Sequence, residues 1–254
     1  MADRPGRRVL LLLGALLVPI LFSRGASAEV SCERITFEDA PYTVCRADVG
    51  SDDIRVFYSD AKDGIYGGFS SVDTMLAEEG RTLALAMNAG MYHGDRRAVG
   101  LLIEDGAEKA PIVTSEGPGN FGLLPNGVFC LTEEGAGVIE SRAFAEDPPS
   151  CRFATQSGPM LVIDGALHPR FIEGGDSRHI RNGVGVSEDG TTVWFAISDA
   201  RVNFHDFGRL FRDRLGVPNA LYLDGKVSRL HAPSIGRSDP GWRLGPMIGV
   251  AVPR

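Results

Sequence analysis

The sequence predicts an α+β fold, with strand-rich mixed sheets and a few helices in a single domain. Three observations carry this: short apolar runs recur along the 254-residue chain, turn signals of the Asp-Gly type separate them, and only two stretches hold helical spacing. Asp105-Gly106, Asp164-Gly165, Asp189-Gly190 and Asp224-Gly225 are such signals, because both residue types tolerate the positive φ of tight turns.

The chain opens with Arg4, Arg7 and Arg8, an apolar run over residues 9–22, and then Ala26-Ser27-Ala28. This is the layout of a cleavable export signal over residues 1–28. The apolar run falls short of the roughly 20 residues of a membrane span, so no stable membrane insertion is expected after cleavage. Arg7-Arg8 lacks the fuller twin-arginine context, which favours ordinary Sec export. The mature domain, residues 29–254, is therefore expected in a periplasm or outside the cell.

Cleavage takes four arginines and Asp3 from 26 basic and 33 acidic residues, leaving 22 and 32, a net charge of −10. Such a surface disfavours nucleic acid and anionic membranes as partners. Cys32, Cys45, Cys130 and Cys151 all lie in the mature chain, and an even number in an exported protein reads as two disulfides. Three connectivities are open, of which sequential pairing, Cys32 with Cys45 and Cys130 with Cys151, is the expected one.

Strands are expected over residues 54–58, 83–87, 99–103, 160–163, 192–197, 220–223 and 248–252. A first helix is expected over about 71–79, behind a serine cap, with Val72, Met75 and Leu76 on one face. In a second, Asn203 caps, Phe204, Phe207, Leu210, Phe211 and Leu215 form an apolar stripe that reads as core, and Gly216 with Pro218 ends it. Glu146-Asp147-Pro148-Pro149-Ser150 reads as a surface loop.

Several familiar chemistries fit poorly. A literal G-x-G-x-x-G over residues 117–122 opens no helix and contains Pro118, so it reads as a loop rather than a dinucleotide site. Ser157 lacks the leading glycine of a nucleophile elbow, and His93, His168, His179, His205 and His231 lack the paired spacing of a zinc helix. No cofactor and no metal site is expected, although a divalent cation held by carboxylate and carbonyl oxygens needs no compact signature.

Polar residues leaving apolar strands beside glycine are where sites form. Here they are Asn88-Ala89-Gly90-Met91-Tyr92, Gln156-Ser157-Gly158-Pro159, Arg178-His179-Ile180-Arg181-Asn182-Gly183, Ser198-Asp199 and Leu223-Asp224-Gly225. At these residues, together with Val99-Gly100-Leu101-Leu102, Gly119-Asn120-Phe121, Pro125-Asn126-Gly127-Val128-Phe129 and the run from Asn219 to Gly225, the chain resembles a known family. This is the phosphodiester glycosidase domain, known from the mannose-6-phosphate uncovering enzyme and matched more closely in its exported bacterial branch. One departure is clear: Asp224-Gly225-Lys226-Val227-Ser228-Arg229 stands where the uncovering-enzyme type tends to carry a glycine-rich run.

The resemblance implies hydrolysis of a glycosyl-1-phosphodiester, with a carbohydrate phosphodiester as the substrate partner. Departing phosphate builds negative charge that a guanidinium meets in bidentate fashion, which suits Arg181, with Arg178 as second choice. Positive charge developing at the anomeric carbon calls for a carboxylate, for which Asp224 and Asp199 are the candidates. Asn88, Gly90, Gln156, Ser157, Gly158, Arg178 and Asn182 make up the expected substrate-binding set. A monomer is expected, and the competing class is a non-catalytic binding protein for cell-envelope glycan using the same pocket. N-terminal sequencing of exported protein is expected to begin at Glu29; a start at Met1 or Ala2 would mean an uncleaved anchor.

Overall fold

A computed structural model describes Met1, residues 30–60, Lys62 and residues 64–254; the expected export signal lies outside the described residues, save for Met1. Three sheets account for the strands, and every pairing within them is antiparallel. The first sheet runs β1 (Ser31–Phe37), β2 (Ala40–Asp48), β13 (Thr192–Ser198), β12 (Asn182–Val186), β14 (Asn219–Tyr222), β10 (Met160–Ile163) and β11 (Ala166–Leu167). The second runs β16 (Arg237–Ser238), β15 (Leu230–Ala232), β4 (Arg81–Asn88), β17 (Met247–Pro253) and β3 (Asp53–Phe57). The third runs β6 (Ala107–Ala110), β5 (Leu102–Glu104), β9 (Phe153–Ser157), β7 (Gly127–Leu131) and β8 (Ala136–Glu140).

One apolar core is shared by all three sheets. Val184, Val193, Phe195 and Ile197 come from the first, Leu85, Met87, Ile248 and Val250 from the second, and Leu102, Phe129 and Phe153 from the third. Because side chains alternate across a strand, each sheet has an outer face to cover. A helix covers each. Helix α1 (Phe69–Glu78) sets Phe69, Val72 and Leu76 against Leu83, Ala86 and Met247. Helix α2 (Ser141–Glu146) sets Phe144 against Val128, Ala154 and the Cys130–Cys151 disulfide. Helix α3 (Phe204–Arg209), continued as a π turn over Leu210–Arg214, sets Phe207, Leu210 and Phe211 against Val44, Leu161, Ala220 and Tyr222.

Glycine makes the last contact possible. Strand β12 reads Asn182-Gly183-Val184-Gly185-Val186, with both valines in the shared core and both glycines under α3. A Cβ at Gly185 would lie 2.8 Å from atoms of Phe211 and Val217, and one at Gly183 would lie 3.3 Å from Phe207. The helix rests on bare backbone.

The α+β class, the seven expected strands and the sequential disulfides Cys32–Cys45 and Cys130–Cys151 are all present, with corrections at the margins. The sheets are antiparallel rather than mixed, and the strand expected from residue 99 begins at Leu102. The first helix starts at Phe69 behind Gly68, with no serine side chain capping it. Helix α2 is an addition, capped by the Glu140 carboxylate, which accepts the Arg142 and Ala143 amides; Glu146 ends it instead of opening a loop. Another addition is the β1–β2 hairpin, whose turn places Glu38 and Asp39 at φ 46° and 63° without glycine. Asp224-Gly225 closes no hairpin, since β14 pairs with β10 and β12 whereas β15 pairs with β4 and β16.

Gly185→Val is expected to cost about 1–3 kcal/mol through overpacking against Phe211 and Val217, measured by urea denaturation.

Candidate active site

The structure joins two sheets at their polar ends. Asn88 is the last residue of β4 and Asn182 the first of β12, and both side chains are fully buried. Asn88 Nδ2 donates to the Asp224 carbonyl at 2.8 Å, and Asn88 Oδ1 accepts the Arg229 amide at 3.0 Å. Asn182 Nδ2 donates to the Asn88 carbonyl at 3.1 Å, while Asn182 Oδ1 accepts from the Ser228 hydroxyl at 2.9 Å. The two amides thereby grip both ends of the loop from Asp224 to Arg229. Leaving a buried polar atom unpaired costs about 1–3 kcal/mol, so the loop is held firmly.

Asp224 sits half-buried at the start of that loop, with its amide donating to the Ala89 carbonyl at 3.2 Å. Burial raises its carboxyl above the ordinary value; the Lys226 amide, 3.1 Å from Oδ1, and the Lys226 charge oppose the rise. Two phenols lie close by. Burial and then the Asp224 charge push Tyr92 up to about 12, and Tyr222 is raised by burial, with Arg181 opposing. The Tyr222 hydroxyl lies against Gly225, where a Cβ would come within 1.6 Å of it, so only glycine fits after Asp224.

Arg181 occupies the other side of Tyr222 and is fully buried. Its guanidinium stacks 3.5 Å over the Phe204 ring and lies 5.5 Å from the Tyr222 ring centre. Nε donates to the Val202 carbonyl at 2.9 Å and Nη2 to the Ser177 carbonyl at 2.7 Å; Nη1 has no partner. Burial lowers its pKa, and the Tyr222 phenol opposes that. No carboxylate forms a salt bridge with this cation among the described residues. Arg181 thus holds a fixed positive charge beside the Tyr222 phenol. It is closed off from solvent, with two of its three nitrogens already bonded to backbone carbonyls.

Of the expected residues, the fold gathers Asn88, Asn182, Asp224 and Arg181 into one connected cluster. Asp199 is placed elsewhere. Its carboxylate is ion-paired with Arg237, which also holds Asp239, and accepts from the Thr43 hydroxyl at 2.9 Å. Arg178 is exposed, and its amide donates to the Asp176 carbonyl. Gln156 is a structural bracket: Oε1 accepts the Leu101 and Val113 amides, and Nε2 donates to the Val113 carbonyl and Ser141 hydroxyl. Gly90 is required there, because a Cβ would lie 2.2 Å from the Gln156 carbonyl oxygen; its amide donates to the Thr155 hydroxyl at 3.0 Å. Gly158 is pressed against Asn126 and Phe121, and the buried Ser157 hydroxyl has no partner.

Tyr92, Phe204, Tyr222 and Ser228 belong to the site without having been singled out. Tyr222 was detectable: it stands two residues before Asp224, on the same side of an extended segment. Phe204 was hidden by its neighbours, since its stripe does supply core and it alone turns to a cation.

Asn88, Asn182, Asp224, Tyr222 and Arg181 thus form one connected polar cluster in an antiparallel, strand-rich fold. The chain belongs to the phosphodiester glycosidase family, whose model matches residues 81–250 and so spans the whole cluster. It is 33% identical over 178 residues to the uncharacterized protein YigE of Escherichia coli K12, covering 70% of this chain and 69% of that one. The fold is similar to the zebrafish N-acetylglucosamine-1-phosphodiester alpha-N-acetylglucosaminidase catalytic domain, with TM-score 0.58, 15% identity, and 87% and 81% of the two chains covered. It is also similar to a hypothetical protein from Synechocystis, with TM-score 0.56, 13% identity, and 88% of this chain and 62% of that one covered.

Asn88→Ala and Asn182→Ala are each expected to lower stability by about 1–3 kcal/mol. A double-mutant cycle should show coupling above about 0.5 kcal/mol, because both side chains serve one network.

Proposed function

We propose that this domain is an exported hydrolase that cleaves a glycosyl-1-phosphodiester bond in a glycan or glycolipid, with Asp224 as its carboxylate. The observation that carries the reading is the contrast between two aspartates: Asp199 is ion-paired with Arg237, whereas Asp224 has no salt-bridge partner among the described residues and a raised carboxyl. A carboxylate held short of its full solvation is a stronger base and nucleophile than one in water. The family membership supplies the bond class, and the two disulfides fit an oxidising compartment.

The chemistry is a displacement at the anomeric carbon. Water supplies the new C–O bond, the bond from that carbon to the phosphate oxygen breaks, and its electron pair leaves on the phosphate monoester. Asp224 either takes the proton from water directly or forms a glycosyl ester that water then opens. Phosphate is a good leaving group near neutral pH, so no strong general acid is required. Arg181 does not touch the substrate in this scheme. Its fixed charge, acting across the Tyr222 phenol, favours the negative charge that builds on the departing oxygen.

A panel of sugar-1-phosphodiesters assayed with wild type and Asp224→Asn tests the reading. Turnover by wild type and a loss of about 10²–10⁴ in kcat/KM in the variant are expected. Absence of turnover across the panel, with glycan binding retained, would overturn the hydrolase reading in favour of a binding protein.

The raised carboxyl also fixes a pH dependence. Its folded pKa lies above the unfolded value near 3.8, so the folded state gains most when Asp224 is protonated and loses stability as pH rises through that window. Asp224→Asn is accordingly expected to raise Tm at pH 7 and to leave it nearly unchanged near pH 3, measured by thermal melts.

A further inference from the structure

A cleft of about 380 Å³ opens immediately beyond Asp224, between residues 225–229 and the turn at residues 240–242. Its volume falls within the roughly 300–1,000 Å³ of ligand pockets. His179, Arg201, Lys226 and Arg229 line it, and no carboxylate does. That is unexpected in a chain with 33 acidic and 26 basic residues. Arg201 and Lys226 are exposed and form no salt bridge among the described residues. Neither charge is held in a salt bridge, and that of Lys226 also acts on Asp224.

Trp242 stands at the rim with 86% of its surface exposed, which leaves an indole in water at a hydrophobic cost. The turn that presents it is built. Arg229 Nη1 donates to the Trp242 carbonyl at 2.7 Å and Nε to the Asp239 carbonyl at 2.9 Å, while the guanidinium lies 5.0 Å from the Phe69 ring centre. A Cβ at Gly241 would lie 3.0 Å from Arg229 Cδ, so glycine is what lets the arginine approach. Arg229 is therefore a positioning residue. Its amide is gripped by Asn88, so the clamp on Asp224 also anchors the backbone that carries Trp242.

We propose that this cleft binds an anionic saccharide, a sugar carrying a phosphate or carboxylate group, with Arg201 and Lys226 meeting the anion and Trp242 stacking on the sugar ring. A flat aromatic face suits the C–H surface of a pyranose, and two unpaired cations at one rim suit an anion. The proposal rests on the hydrolase reading for its place in a reaction, where the cleft would hold the part of the substrate adjoining the scissile bond. Binding itself does not depend on turnover.

The chain has two tryptophans, and Trp194 is half-buried in β13, so quenching of tryptophan fluorescence reports on Trp242. Glucose 1-phosphate, glucuronate, glucose and inorganic phosphate are titrated into wild type, with calorimetry for the variants. Quenching by glucose 1-phosphate or glucuronate, and not by glucose at equal concentration, is expected, and the two anionic sugars show which charge is preferred. Arg201→Ala with Lys226→Ala is expected to weaken the preferred anionic sugar tenfold or more and to flatten its salt dependence. Trp242→Ala is expected to weaken the sugars while leaving inorganic phosphate unchanged. Equal binding of glucose, failure of both anionic sugars to bind, or unchanged affinity in the double variant would overturn the proposal. All three substituted residues are exposed, and far-UV circular dichroism confirms folding. Anionic-sugar binding without turnover of any phosphodiester would overturn the hydrolase reading alone.

Discussion

Two buried carboxamides are what the rest of the site depends on. Asn88 and Asn182 come from different sheets, and their side chains bond to the backbone of Asn88 and to the backbone and Ser228 hydroxyl of one loop. A carboxamide can donate and accept at once, which a carboxylate or an ammonium cannot, so a facing pair is able to tie two sheets and a loop without burying charge. Polar networks of this kind are costly when incomplete and rigid when complete. This one leaves Asp224 with a fixed backbone and a carboxylate in no salt bridge among the described residues.

The charges around that carboxylate are arranged for field rather than for neutralisation. Arg181 and Asp224 each lose solvation, and both act on the Tyr222 phenol without forming a salt bridge. Elsewhere the molecule pairs its charges freely, as in Arg237 with Asp199 and Asp239, or Arg209 with Glu38 and Asp213. Unpaired charge concentrated at one place is the usual mark of a site that trades stability for function.

Much of the fold was legible because strand period and glycine turns are local signals. What escaped either lacked the usual local mark or depended on distant partners. The β1–β2 hairpin turns on Glu38 and Asp39, which adopt positive φ without the glycine that announces such turns. Helix α2 is six residues long and owes its cap to Glu140, an unusual capping residue. For the site, Asn88, Asn182, Asp224 and Arg181 could be selected as polar residues at strand ends. Their division of labour could not, because whether an arginine faces solvent or an aspartate is already paired depends on partners such as Phe204 and Arg237, far away in the chain. Gln156 shows the same limit from the other side, since nothing in its neighbours reveals that Leu101, Val113 and Ser141 consume its amide.

The glycines of β12 carry one more consequence. Helix α3 sits on bare backbone with Phe207 and Phe211, and at its first turn the same helix presents Phe204 to the Arg181 guanidinium. The seat of the helix and the aromatic wall of the cation are one rigid piece. The way α3 seats on β12 therefore also sets the ring against which the buried guanidinium of Arg181 is held, so hydrocarbon packing beneath the helix decides where that cation lies.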